Sequence, residues 1–313
     1  MTELTHDSKL SPVALFTLTF VVAGFGFILI GPIIGFFLSI PFMEGSITDQ
    51  LPKMADPINY PEFRLPLYIM QGSATLIGLG LLPSLFWFSV EGKGITSWFA
   101  GKKVYGLMLL TTLVMTIAFM ITNSVFIDWN SHLSFPESMK GFEDWARDYE
   151  ERAEALTKYM TNFSSTGEFL IAFLVVAVLP GFGEELVFRG MLQPQLFRAT
   201  KNIHVAIWAS AIMFSAFHLQ FFGFVPRLLL GALFGYLYYW SGSLFIAMFA
   251  HFVNNGFSVL MLYLNQKGVV DMNMESTDAA PWQAVIIFTL IAVAMLYYFK
   301  KFYDQKREQL DGQ

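Results

Sequence analysis

Long apolar runs recur along the whole chain, at about 13–40, 66–90, 104–127, 166–182, 204–222, 226–241, 243–264 and 281–299. A run of about 20 apolar residues crosses the hydrocarbon core of a bilayer as a helix, which satisfies its own backbone where no water can. The expectation is an all-α polytopic membrane protein with about eight transmembrane helices, built as one integral-membrane domain over 1–313. Breakers separate the runs: Pro41, Pro66, Gly94, Pro180-Gly181, Pro226, Gly242 and Pro281. Charged residues make up only 14% of the chain, against about 25% in an average soluble domain. The first run is too long for the apolar part of a signal peptide and lacks its small-residue end, so it reads as a retained span kinked at Gly31-Pro32.

Composition also excludes. The chain has no cysteine, so disulfides, thiolate nucleophiles and cysteine-ligated metals are out. A net charge of −5 offers no basic footprint for nucleic acid. No phosphate-cradling glycine loop is present.

Loop charges suggest an orientation. Lys93, Lys102 and Lys103 outweigh Glu91 between the second and third runs, and the C-terminal tail holds Lys300, Lys301, Lys306 and Arg307. Residues 41–64 are acidic (Glu44, Asp49, Asp56 and Glu62 against Lys53 and Arg64), as are Asp271, Glu275 and Asp278 against Lys267. Basic loops stay cytoplasmic, so both termini are expected there. The longest loop, 128–165, carries Phe142, Trp145, Tyr149, Leu156 and Met160 at near-helical spacing, with Glu143, Asp144, Asp148, Glu150, Glu151 and Glu154 between them. It reads as an amphipathic extramembrane helix that packs its aromatic stripe on the bundle or serves as a substrate-gating lid. The pattern Gly231-Ala232-Leu233-Phe234-Gly235 marks close helix packing within the chain rather than dimerisation.

Against this apolar background, Gly183-Glu184-Glu185-Leu186-Val187-Phe188-Arg189 places two carboxylates and an arginine beside a span. An ionisable group at membrane depth costs roughly 2.5–3.5 kcal/mol on insertion scales, so it usually marks a working site. Glu185 and Arg189 are i and i+4 and share a helix face in the favourable order for an ion pair. Glu184 points about 100° away and is left as the free carboxylate, suited to acid–base work. The alternative is three solvated charges at the end of the fourth span. His218 follows Phe214 by one turn and either orients an attacking water or is a hydrogen-bonded structural residue. His251 and Asn255 are also one turn apart. They can act as two neutral donors to a growing oxyanion, or as helix–helix hydrogen bonds, with Asn254 secondary.

Glu-Glu-x-x-x-Arg, Phe-x-x-x-His and His-x-x-x-Asn, in this order, resemble the CAAX-protease and bacteriocin-processing (CPBP, ABI) family of intramembrane proteases, related to the Ras-converting CAAX endopeptidase. The resemblance covers about 165–265, the expected protease core. It implies a glutamate-type endopeptidase acting on a membrane-anchored protein or peptide, including prenylated CAAX-type substrates. By that resemblance Glu184 and His218 activate water, His251 and Asn255 steady the oxyanion, and Glu185, Arg189 and Phe214 support them. It implies no cofactor; a zinc enzyme would have to draw on Glu184, His218 and His251. An ion- or proton-coupled transporter, or a non-catalytic scaffold or immunity protein, are readings of another class. A hydrated cavity open to the cytoplasm is expected. One tension stands: Glu184 falls near the inner end of its span and His218 near the outer end of the next. A helix broken at Pro180-Gly181-Phe182-Gly183, or a boundary shifted around Phe221–Pro226, would resolve it.

Overall fold

The computed structural model describes residues 10–311 apart from 93, 100–102, 272, 274 and 275. The expected charge contributions of Lys93, Lys102 and Glu275 lie outside the described residues. The described chain forms α1 (Pro12–Phe42), α2 (Ile47–Ala55), α3 (Pro61–Glu91), α4 (Gly106–Ser131), α5 (Lys140–Thr161), α6 (Thr166–Thr200), α7 (Ile203–Phe217), α8 (Phe224–Ser241), α9 (Leu244–Gln266) and α10 (Trp282–Asp311). No strand occurs among the described residues.

Among the described residues six helices are long and apolar enough to cross a membrane: α1, α3, α4, α6, α9 and α10. This is an integral membrane protein, but the expected eight spans are not all found. Helix α7 has 15 residues, about 22 Å of rise against a core of about 30 Å. The apolar run at 204–222 had hidden a non-helical turn after His218. Helices α7 and α8 therefore form a hairpin held among the longer helices.

Local chemistry sets the ends. Ser11 caps α1 by accepting from Ala14 N at 3.2 Å, with Pro12 as the first helical residue. Asn202 caps α7 by accepting from the amides of His204 and Val205. Helices α1 and α3 touch through glycine: a Cβ on Gly31 would stand 2.6 Å from Ala74 Cα. Gly231 and Gly235 face inward as expected. A Cβ there would meet Arg189, Phe214 and Ala211, or Gln193 and Ile207, all in this chain.

Helix α6 is the spine of the site, and it does not break. Pro180 lacks the N–H that would bond Val176 O. A π turn at Leu174–Val178 shifts the hydrogen-bond ladder just before it. A second π turn, Leu186–Leu192, follows the carboxylate pair. Glu184 therefore sits near the middle of a 35-residue helix, not at its end.

Alternation of the helices puts the start of α1, the α3–α4 and α8–α9 connections and the end of α10 on one face. The opposite face carries α2, α5, the α7–α8 turn and the α9–α10 loop. Cross-contacts agree: Arg307 Nη2 donates to Trp240 O on the first face, and Tyr159 Oη to Tyr60 O on the second. Helix α5 lies on that second face, and its stripe packs only in part. Met160 is buried and the Phe142 ring lies 5.8 Å from that of Phe221, while Trp145 is 52% exposed and Tyr149 37%. Two of its acids turn inward. Glu143 accepts from Phe135 N at 2.9 Å and Glu150 from Phe222 N at 2.9 Å.

Candidate active site

Glu185 and Arg189 form the expected clamp. Arg189 Nη1 donates to Glu185 Oε1 at 2.7 Å and Nη2 to Gly231 O at 2.8 Å, with both side chains fully buried. The guanidinium also lies over the Phe214 ring, 4.5 Å from its centre. The solvated-charge alternative for this pair is thereby overturned.

The same Glu185 oxygen meets His251 Nδ1 at 2.9 Å. An ionised carboxylate only accepts, so Nδ1 carries the proton and, in the neutral ring, Nε2 is an acceptor. Asn255 Nδ2 faces that Nε2 at 3.3 Å and donates to Val176 O at 3.1 Å. Val176 O is the carbonyl that Pro180 leaves without its helical donor, so the proline and the asparagine are structurally linked. The expected pair of neutral donors is thus not present: a neutral His251 can offer Asn255 a lone pair but not a second donor to the cavity.

His218 ends α7. Its Nδ1 lies 2.9 Å from Phe214 O, a carbonyl that can only accept, so Nδ1–H donates and Nε2 keeps its lone pair. That Nε2 stands 3.9 Å from Glu184 Oε2. Glu184 Oε2 is buried and has no hydrogen-bond partner. Two acceptors thus face each other across a gap too wide for a direct bond, the separation at which to ask for a bridging water. The tension in depth is resolved: a mid-helix Glu184 and the early end of α7 bring the two together.

The turn after His218 is held by three hydrogen bonds from Asn130 and Glu150. Leu219 adopts a left-handed φ of 56°, a conformation costly for a residue with a Cβ. Asn130 donates to Phe221 O at 3.1 Å and accepts from Val225 N at 2.7 Å, and Glu150 takes Phe222 N.

One cavity of about 320 Å³ is lined by Glu184, His218, His251 and Asn255, together with Phe214, Asn254, Asn123 and Arg227. Glu185 and Arg189 lie behind its wall. Its outer lining includes Gly223 at the α7–α8 turn and Ile127 near the end of α4, so it runs toward the face that carries α5. Cytoplasmic termini and a cavity open to the cytoplasm cannot both hold, because the two lie on opposite faces.

Sequence reasoning passed over Arg227, Asn123 and Glu150. Arg227 had a signal, since it is a cation inside an apolar run and falls under the same cost rule that flagged Glu184. Asn123 and Glu150 had none beyond polarity. Among the described residues no three His, Asp or Glu side chains are disposed to hold a metal ion. Glu184, His218 and His251 do not converge as a ligand set.

Residues 166–257 match the family model for Rce1-like type II CAAX prenyl endopeptidases. This stretch contains every motif residue from Glu184 to Asn255. The chain is 31% identical over 84 residues to the uncharacterized protein YpbD of Bacillus subtilis (strain 168). The match covers 26% of this chain and 40% of that relative, so it spans less than half of the relative's length. No solved structure matches.

Proposed function

We propose that the chain is an intramembrane endopeptidase in which Glu184 and His218 together activate a water molecule. The observation that carries this reading is the 3.9 Å separation of two acceptor atoms, one on a buried carboxylate without a partner, at the wall of a cavity. A water in that gap donates one hydrogen to each. Its oxygen lone pair is then free to attack a carbonyl while Glu184 takes the proton as general base; as the tetrahedral intermediate collapses the C–N bond breaks and Glu184 passes that proton to the leaving amine. No residue forms a covalent intermediate.

Both Asn255 N–H groups are engaged in the resting site, one by Val176 O and one facing His251 Nε2, so the growing oxyanion takes the second in exchange for that imidazole lone pair. His251 joins Asn255 through Nε2–H only in the doubly protonated ring, with Glu185 holding Nδ1. Arg189 and Phe214 fix Glu185 and the two imidazoles. The substrate is a membrane-anchored protein or peptide, with a prenylated CAAX-type chain as the favoured class. The Rce1-like stretch supports this choice over a transporter or a silent scaffold.

The reaction as written needs no metal. Replacing Glu184→Ala in the producing cell should leave uncleaved membrane peptides that wild type removes, seen by comparative membrane proteomics. Cleavage of the same peptides by purified protein should persist in a strong chelator. An unchanged peptide set in Glu184→Ala sinks the peptidase reading, and loss of cleavage on chelation sinks the metal-free one.

A further inference from the structure

The cavity holds a cation that the proposed hydrolysis leaves idle. Arg227 follows Pro226 in the first turn of α8, and its Nη2 donates to Gln220 Oε1 at 2.6 Å. Its Nη1 is buried with no partner. A Cβ on Gly223 would lie 3.2 Å from Arg227 Nη2 and 3.4 Å from Glu150 Oε1, so cation and acid flank the turn. Among the described residues no carboxylate forms an ion pair with Arg227. Asn123 gives its amide to Pro226 O at 3.0 Å, and its Oδ1 is left buried and unpaired.

Three unsatisfied polar atoms thus belong to residues lining one cavity: Glu184 Oε2, Arg227 Nη1 and Asn123 Oδ1. Buried polar atoms without partners ask for a ligand or water that completes them. A guanidinium with a free edge matches a carboxylate in geometry and charge. Glu184 on the same cavity disfavours a doubly charged anion.

We propose that Arg227 binds a carboxylate of the peptide substrate and thereby selects which peptides are cut. The proposal deepens the peptidase reading and rests on it. Asn123 Oδ1 accepts a backbone N–H of the same peptide. A rounded cavity of about 320 Å³ is roughly 8 Å across, the reach of two to three extended residues at about 3.5 Å each. The carboxylate therefore lies within a few residues of the scissile bond. It is either the chain-terminal carboxylate or an acidic side chain.

The test uses the full chain in lipid nanodiscs and a fluorescent peptide with a prenylated cysteine followed by three aliphatic residues. The peptide is made with a free-acid end, with an amide end, and with an amide end whose last residue is glutamate. Wild type should cleave the free acid with kcat/KM at least about tenfold above the plain amide, the scale of a hydrogen bond to a charged group. Arg227→Gln should bring that ratio close to one, and Arg227→Lys should restore part of it. The glutamate-amide peptide behaves like the acid if side chains are read, and like the plain amide if the terminus is read. Equal cleavage of acid and amide by wild type, or a preference that survives in Arg227→Gln, overturns the proposal and leaves the peptidase reading standing. If no peptide is cut, binding to the same proteins decides. Tighter binding of the acid that vanishes in Arg227→Gln upholds the carboxylate site while the peptidase reading falls, and equal binding overturns both.

Discussion

Glu185 accepts from Arg189 at 2.7 Å and from His251 at 2.9 Å, whereas Glu184 Oε2, one residue away, accepts nothing. Helical spacing alone predicted that split, because only one of two adjacent glutamates can share a face with Arg189. The consequence for stability is specific. Removing one partner of a buried ion pair leaves an uncompensated charge, so Arg189→Ala should lose about 3–5 kcal/mol of thermal stability in detergent. Glu185→Gln with Arg189→Met should lose less than Arg189→Ala alone. Equal or greater loss in the double variant would mean that the pair is not a coupled unit. What spacing could not deliver was the third partner: Glu185 reaches His251 across 66 positions of sequence. Nor could it tell that this contact would turn His251 Nε2 into an acceptor.

At the scale of elements, the sequence marked proline as punctuation, and α6 shows where that rule fails. A π turn before Pro180 keeps the helix whole, and the freed Val176 carbonyl is taken by Asn255. Periodicity cannot register a side chain from another helix completing the ladder. Helix α5 was recognised by its spacing, and its stripe packs in part, through Phe142 on Phe221 and through the buried Met160. Spacing could not report that Glu143 and Glu150 hold backbone amides at 135 and 222. Hydrogen bonds from Phe135 N and Arg147 hold the Glu143 carboxyl below the usual carboxylate range. A depressed folded pKa stabilises above the unfolded value of about 4.3 and is lost as pH falls through the folded one. Amide protection at 133–147, the exchange rate of an unstructured peptide at the same pH divided by the observed rate, should therefore be high near neutral pH and fall as pH drops below about 4. In Glu143→Gln protection should be low already at neutral pH. Protection that is independent of pH and of this substitution would remove Glu143 as the tether.

Across the whole molecule, the six described helices that are long and apolar enough to cross a membrane enclose a short hairpin whose early turn brings His218 to the middle of α6. Hydropathy reported the apolar content correctly but could not place the end of α7, since an apolar turn and an apolar helix look alike to it. The faces make a testable pair. With basic residues such as Lys103, Lys300 and Lys301 on the terminal face, that face is expected in the cytoplasm. The cavity then opens on the other side. The chain has no cysteine, so single probes are clean. Asp148→Cys should react with an impermeant maleimide in intact cells, and Glu308→Cys only after permeabilisation; the reverse pattern would turn the cavity toward the cytoplasm. The most direct test of the account is the rate of peptide hydrolysis by purified Glu184→Gln, an isosteric change that removes the base and keeps the shape. Loss of at least about 100-fold in kcat/KM, with melting temperature unchanged, is the predicted result. Wild-type turnover in Glu184→Gln would contradict it.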